Sequence, residues 1–277
     1  MLGKLLKHEW KAVWKVPTLL IGIVMLAGLI AGLTFAMPIW DSDWVGLPMS
    51  GVMLIMTFFF GLSGVNIGII IYFGVRYYRS MFTDEGYLTH TLPVSARELL
   101  LNKVITMSAW NLITMAGVIV SLMIFGGVAF LSLAPLDGAF AREVTRALAE
   151  LPEIFSSSEM AGFQAFCASL ILMLLTSAFS GTMILIGAIT LGQMVRKHRI
   201  LGAIGAYFAI KGVVQMVNTV VMMPIMFNSM NNMWWEMDSP FPIFTGFYTV
   251  MSLVFVAVSI GLYFLCEYLI KRQLELE

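Results

Sequence analysis

The sequence predicts an all-α polytopic membrane protein with six transmembrane helices and an amphipathic interfacial helix at its N-terminus. Composition is the first ground. Of 277 residues, 60% are hydrophobic and only 12% are charged, whereas a soluble domain is nearer half apolar and a quarter charged. Mean hydropathy is +0.91. The second ground is six apolar runs, at about residues 18–39, 49–75, 104–133, 160–192, 200–227 and 242–266. Each exceeds the ~18 residues that mark a membrane helix. The third is charge placement. Net charge is zero, yet basic residues collect in alternate loops.

Residues 1–15 precede the first run. Leu2, Leu5, Leu6, Trp10 and Val13 recur at helical spacing, and Lys4, Lys7, Lys11 and Lys15 lie off that stripe. A basic amphipathic helix with tryptophan on its apolar side lies in the lipid interface. The run at 18–39 is too long for the 7–15-residue apolar core of a signal peptide, so it is expected to be a retained first span. Six spans put both termini on one side. That side would carry the four N-terminal lysines, Arg76, Arg79, Arg97, Lys103, Arg196, Lys197, Arg199, Lys271 and Arg272, thirteen of the sixteen basic residues. The opposite loops hold Arg142 and Arg146 among Asp41, Asp43, Asp137, Glu143, Glu150, Glu153, Glu159, Glu236 and Asp238. Basic residues accumulate in cytoplasmic loops, which makes both termini cytoplasmic. The longest outer loop, 134–159, offers a short amphipathic helix through Phe140, Val144, Leu148 and Leu151. Trp234 and Trp235 suit a membrane boundary. No linker or soluble domain interrupts the chain, so residues 1–277 read as one transmembrane domain.

Between the second and third spans lies a polar island, residues 76–103. Pro93 has no amide hydrogen and pushes Leu92 towards extended geometry, so a helix ends there. Ser95-Ala96-Arg97-Glu98 is a capping box that starts the next helix. The pattern is a span, a short surface helix, a break, and a freshly capped helix re-entering the membrane.

Catalytic chemistry is not written in the chain. It has no GxxxxGK[ST] phosphate loop, no HExxH pair and no GxSxG turn. His8, His90 and His198 fall in separate segments, and Cys167 and Cys266 form no spacing motif. Neither an enzyme nor a metal site is expected. The fifth run is the polar exception, with Lys211, Gln215 and Asn218 at i, i+4 and i+7 on one helical face. Ionisable residues within spans face a bundle interior or a wet cavity, so this face is a candidate translocation path or subunit contact. The plainer reading is snorkelling of the lysine to the interface. Lys211 lies about 11 residues beyond Ile200, roughly mid-membrane at ~1.5 Å per residue. Gly61, Gly64 and Gly68 in the second run suggest a small-residue packing face. The methionines around Met222–Met237 suit flexible packing more than copper.

Six spans, a basic amphipathic N-terminal helix and a cytoplasmic element after the second span resemble the permease subunit of a type-2 ATP-binding-cassette exporter. The most specific stretch runs from Tyr77 to Ser95, YYRSMFTDEGYLTHTLPVS. It is similar to the F-x-D-E-G-Y-L-T-x-T-L-P-V-S segment of many small bacterial permeases in that family, and the tail Lys271–Glu277 resembles theirs. The resemblance implies a multi-pass protein of the cell membrane, working as a dimer with a second copy or a homologue. It also implies a separate cytoplasmic ATPase subunit that binds ATP and magnesium, this chain itself holding no cofactor. The segment after the second span would be the coupling helix seated in that ATPase, formed here by Phe82, Asp84, Glu85, Gly86, Tyr87, Leu88, Leu92 and Pro93. A different class of function stays open: a stand-alone ion-coupled carrier or channel using the Lys211, Gln215 and Asn218 face.

Overall fold

The computed structural model describes residues 2–40, 42–83, 96–133, 160, 162–195, 198–233 and 241–273, with seven helical residues between 142 and 152. The chain is an all-α polytopic membrane protein, with no strand among the described residues. Its helices are α1 (Leu2–Val13), α2 (Lys15–Leu33), α3 (Gly46–Phe82), α4 (Ala96–Leu133), α5 (Phe163–Gly192), α6 (Arg199–Met233) and α7 (Phe241–Gln273). Helices α2 to α7 are the six that are long and apolar enough to cross a membrane. Of the 134–159 loop, Arg142, Glu143, Thr145, Arg146, Ala149, Glu150 and Pro152 are helical and exposed. The expected stripe there, Phe140, Val144, Leu148 and Leu151, lies outside the described residues, as do Trp234 and Trp235.

Two helices run on past the apolar spans they contain. α3 continues through Arg76 and Arg79 to Phe82, and α4 begins at Ala96, eight residues ahead of the span expected from 104. With 37 and 38 residues, each is ~55 Å long at 1.5 Å per residue, against a hydrocarbon core of ~30 Å. Their polar ends, on either side of residues 84–95, therefore project beyond the membrane. α4 starts where the capping box places it, although Ser95 lies outside the described residues.

The chain forms two compact units. One comprises Lys7–Phe73 and Trp110–Ala149. In it the backbone stays helical across Trp14, between α1 and α2, with φ −55° and ψ −33°. Trp14 N bonds Trp10 O, and Thr18 N bonds Trp14 O. Pro17 then withholds the amide that would bond the Val13 carbonyl four residues back. The Tyr72 hydroxyl donates to that carbonyl from α3, at 3.4 Å. Of the expected apolar stripe of α1, Val13 is buried and Leu5 and Leu6 are half-buried; Lys4, Lys7 and Lys11 are exposed. Trp10 is 40% exposed and packs on Trp110 with ring centroids 4.8 Å apart.

Within the same unit α2 and α4 run in the same direction, held close by small residues. Ser121 Oγ donates to the Val24 carbonyl at 2.9 Å. A β-carbon on Gly28 would lie 2.9 Å from both the Ser121 carbonyl and its hydroxyl. One on Gly117 would meet Ile21 at 2.7 Å, and one on Gly32 would meet Val128 at 2.9 Å. Small residues at such crossings let backbones approach where no hydrophobic force joins helices. The packing glycines are thus Gly28, Gly32 and Gly117, and not the expected series. A β-carbon on Gly61 or Gly64 would meet nothing within 4 Å, and one on Gly68 would meet only Leu20, at 3.7 Å. Spacing alone cannot say which glycine edge meets a neighbour.

The other unit comprises Met1–Leu6, Gly74–Ala109 and Glu150–Glu277. Here α5 is the hub, packed along α7 and against α6. Its second half is buried almost without interruption from Thr182 to Thr190. At one end Phe163 and Phe166 pack against Phe241, Phe244 and Tyr248. Near the other, a β-carbon on Gly187 would sit 3.2 Å from Leu262 and 3.8 Å from Cys266 Sγ. α5 and α7 are therefore parallel. The return from α5 to α6 is tight: a β-carbon on Gly192 would fall 2.5 Å from the Ala203 backbone.

Substituting alanine at Gly28 and at Gly61 separates these packing readings. Gly28→Ala forces the α2–α4 crossing apart and is expected to cost about 1–3 kcal/mol, the usual penalty of overpacking. Gly61→Ala should be neutral or stabilising by up to ~1 kcal/mol, through helix propensity. Unfolding of the purified chain in mixed micelles measures both. Equal losses at the two positions would show that the contact geometry at Gly28 is wrong.

Candidate functional site

The described flanks of residues 84–95 converge on one end of the second unit. On the incoming side, Tyr77 is 1% exposed and Met81 is fully buried. Thr190 donates its proton to the Ile186 carbonyl at 2.9 Å. It is then free to accept only, so the Tyr77 hydroxyl donates to Thr190 Oγ1, 3.3 Å away. Cys266, fully buried on α7, lies in the same polar pocket with Thr190. Gly74, one turn earlier, faces Leu185 and Ile189 of α5. The aromatic edge continues outward, with Phe82 edge-on to Tyr77 at 5.8 Å and tilted on Tyr78 at 6.3 Å.

On the outgoing side, Leu99 and Leu100 are buried, and Asn102, Lys103, Thr106 and Ser108 are buried with them. Arg97 Nε donates to the Tyr263 hydroxyl of α7 at 3.3 Å. The last turns of α3 and the first of α4 are thus both seated on the core built by α5 and α7. Arg76, Arg79, Arg97, Lys103 and Arg199 lie on the helix ends gathered there. Two of the basic segments that the sequence assigns to one side, the 76–103 island and the loop after the fourth span, meet at one end of this unit.

Of the expected coupling residues, Phe82 is described and half-buried. Asp84, Glu85, Gly86, Tyr87, Leu88, Leu92 and Pro93 lie outside the described residues. The three members of the polar face on α6 do not share one environment. Lys211 and Gln215 are exposed, whereas Asn218 is 4% exposed. The Asn218 Oδ1 atom is buried without a hydrogen-bond partner. Alignment at i and i+7 puts Lys211 and Asn218 within about 20° around the helix. The face is therefore open at Lys211 and closes at Asn218.

Sequence reading misses the Tyr77–Thr190–Cys266 pocket and the buried polar start of α4. Asn102, Thr106, Ser108 and Ser180 each hold a buried oxygen without a partner in the same unit, and such atoms cost ~1–3 kcal/mol apiece when dry. The signal is present as Asn102-Lys103-x-x-Thr106-x-Ser108 at the head of a span, with Asn102 and Thr106 one helical turn apart. Comparison with family models, with curated proteins and with solved structures finds no match to this chain.

Two substitutions at Tyr77 test whether this pocket anchors the end of α3. Tyr77→Phe deletes one hydrogen bond while Thr190 keeps its bond to Ile186, and should cost ~1 kcal/mol. Tyr77→Ala empties a fully buried site and should cost ~3–5 kcal/mol. Unfolding in mixed micelles ranks them. An alanine variant as stable as wild type would show that α3 does not depend on this contact.

Proposed function

We propose that this chain is the membrane-spanning subunit of an ATP-driven exporter, forming the translocation path and taking its energy from a separate cytoplasmic ATPase. In this reading the chain lies in the cell membrane with both termini cytoplasmic and works beside a second copy or a homologue. ATP and magnesium are bound by the ATPase. The observation that carries the reading is the segment Phe82–Ser95, similar to the coupling segment of the permease family, borne between two helices that outrun the membrane. The Tyr77–Thr190 bond before it and the Arg97–Tyr263 bond after it tie both flanks to α5 and α7. A segment fixed so at both ends can pass a push from a cytoplasmic partner into the spans. Tyr87 and Leu88 supply apolar anchors, and Asp84 and Glu85 the charges that set register, the division of labour found at interfaces.

A second reading is favoured by the exposure of Lys211 and Gln215 in the middle of α6: a stand-alone ion-coupled carrier or channel using that face. The exporter requires a neighbouring gene for an ATPase with a phosphate loop, and transport that stops without ATP. The carrier requires neither.

The double variant Tyr87→Ala/Leu88→Ala tests the coupling assignment. Loss of two anchors should weaken ATPase binding by several kcal/mol, so co-purification and stimulated ATP hydrolysis should disappear while the chain stays in the membrane at wild-type abundance. Undiminished co-purification would remove the coupling role from this segment.

A further inference from the structure

Lys211 sits 12 residues from the start of α6 at Arg199 and 13 from Pro224, the limits of the apolar stretch among the described residues of a helix that runs on to Met233. At 1.5 Å per residue that is ~18–20 Å from either end, deeper than a lysine stem reaches without deforming the bilayer. It is exposed and makes no hydrogen bond or ion pair among the described residues. On the same side of α6 lie Ile204 and Phe208, seven and three residues before it, which are 49% and 69% exposed. One turn on is exposed Gln215, then buried Asn218 with its unpartnered oxygen. The described carboxylates of the spans, Glu98 and Glu267, belong to the first turn of α4 and the last turns of α7. None lies at the depth of Lys211.

A cation at mid-membrane is costly until something neutralises it. A second copy brought face to face would add a second lysine, and like charges in a low dielectric repel. Resident lipid cannot answer it, because headgroups stay at the surface, ~15 Å from the midplane. An anion that itself crosses the membrane can. Resting on the translocation path of the exporter reading, we infer that the Lys211–Gln215 face of α6 binds the anionic head of a single-chain amphiphile in transit. The lysine meets the carboxylate, phosphate or sulfonate head, Gln215 offers a neighbouring amide donor, and Ile204 and Phe208 cover the apolar chain.

The test uses the purified full-length chain in nanodiscs of zwitterionic phosphatidylcholine, without any ATPase. The probes are a photoreactive long-chain alkyl sulfonate and the uncharged alcohol of the same chain. Wild type should be labelled on α6 about tenfold more by the sulfonate than by the alcohol, the worth of one charge-assisted contact. Lys211→Arg should keep that preference and Lys211→Gln should lose it. Equal labelling of wild type by both probes overturns the inference, and this arm stands even if a variant fails to fold. Retained preference in Lys211→Gln overturns it too. So does a Lys211→Gln chain whose oligomer falls apart while wild type shows no sulfonate preference, which assigns the face to a second copy. ATPase co-purification is scored separately. Its loss with the sulfonate preference intact overturns the exporter reading alone.

Discussion

Hydrocarbon offers no hydrogen bond to a peptide group, and most of this structure follows from that one constraint. Each crossing must satisfy its own backbone, which leaves the helix as the form an open chain can use. Where the sequence breaks the ladder, a local substitute stands ready. Pro17 withholds an amide, and the Tyr72 hydroxyl donates to the Val13 carbonyl in its place. Hydroxyls inside spans are likewise satisfied along their own helix, as with Thr114 on Trp110, Thr182 on Ala178 and Ser252 on Tyr248. Ser121 instead reaches the Val24 carbonyl on a neighbouring helix and fixes a crossing. The exceptions to this rule of satisfaction are few among the described residues, and they concentrate in the unit that also carries Lys211.

That unit has an asymmetric build. One end is an aromatic cluster around Phe166 and Phe241, its middle the continuous buried face of α5, and its other end a polar pocket closed by Tyr77, Thr190 and Cys266. The ends of α3 and α4 are seated on that pocket and on Tyr263. Because a packed core transmits displacement rather than absorbing it, motion imposed on residues 84–95 would reach α5 and α7 through these seats. α6 packs on the same core through Val214, Asn218 and Met222, which are buried, while Lys211 and Gln215 stay open.

Much of this is legible in the residues. Apolar length locates all six spans, and Ser95–Glu98 marks the start of α4 to the residue. The helices run past the expected span limits at 75 and 104, which take charge as the membrane edge. Helices do not stop at that edge when their buried stripe continues, and Tyr77, Met81, Leu99 and Leu100 continue it. The packing glycines escape the sequence for a related reason: Gly61 and Gly64 have the right spacing, but only contact decides, and contact falls on Gly28 and Gly117. The Tyr77–Thr190 bond joins positions 113 apart in sequence, beyond any periodic pattern. Lys211 is visible in the sequence because a lone charge in an apolar run is conspicuous. That Asn218 parts company with it is a property of packing, which one helical wheel does not contain.

The central claim is that residues 84–95 form a docking element on the cytoplasmic side, and the accessibility of a single cysteine tests it most directly. The variant carries Thr89→Cys with Cys167→Ser and Cys266→Ala, and is probed with a membrane-impermeant maleimide. No labelling is predicted in intact cells, where Ser42→Cys should react. Full labelling is predicted in inside-out vesicles, and protection there once the partner ATPase is bound. Reaction of Thr89→Cys in intact cells would contradict a cytoplasmic docking element and reverse the orientation of every span.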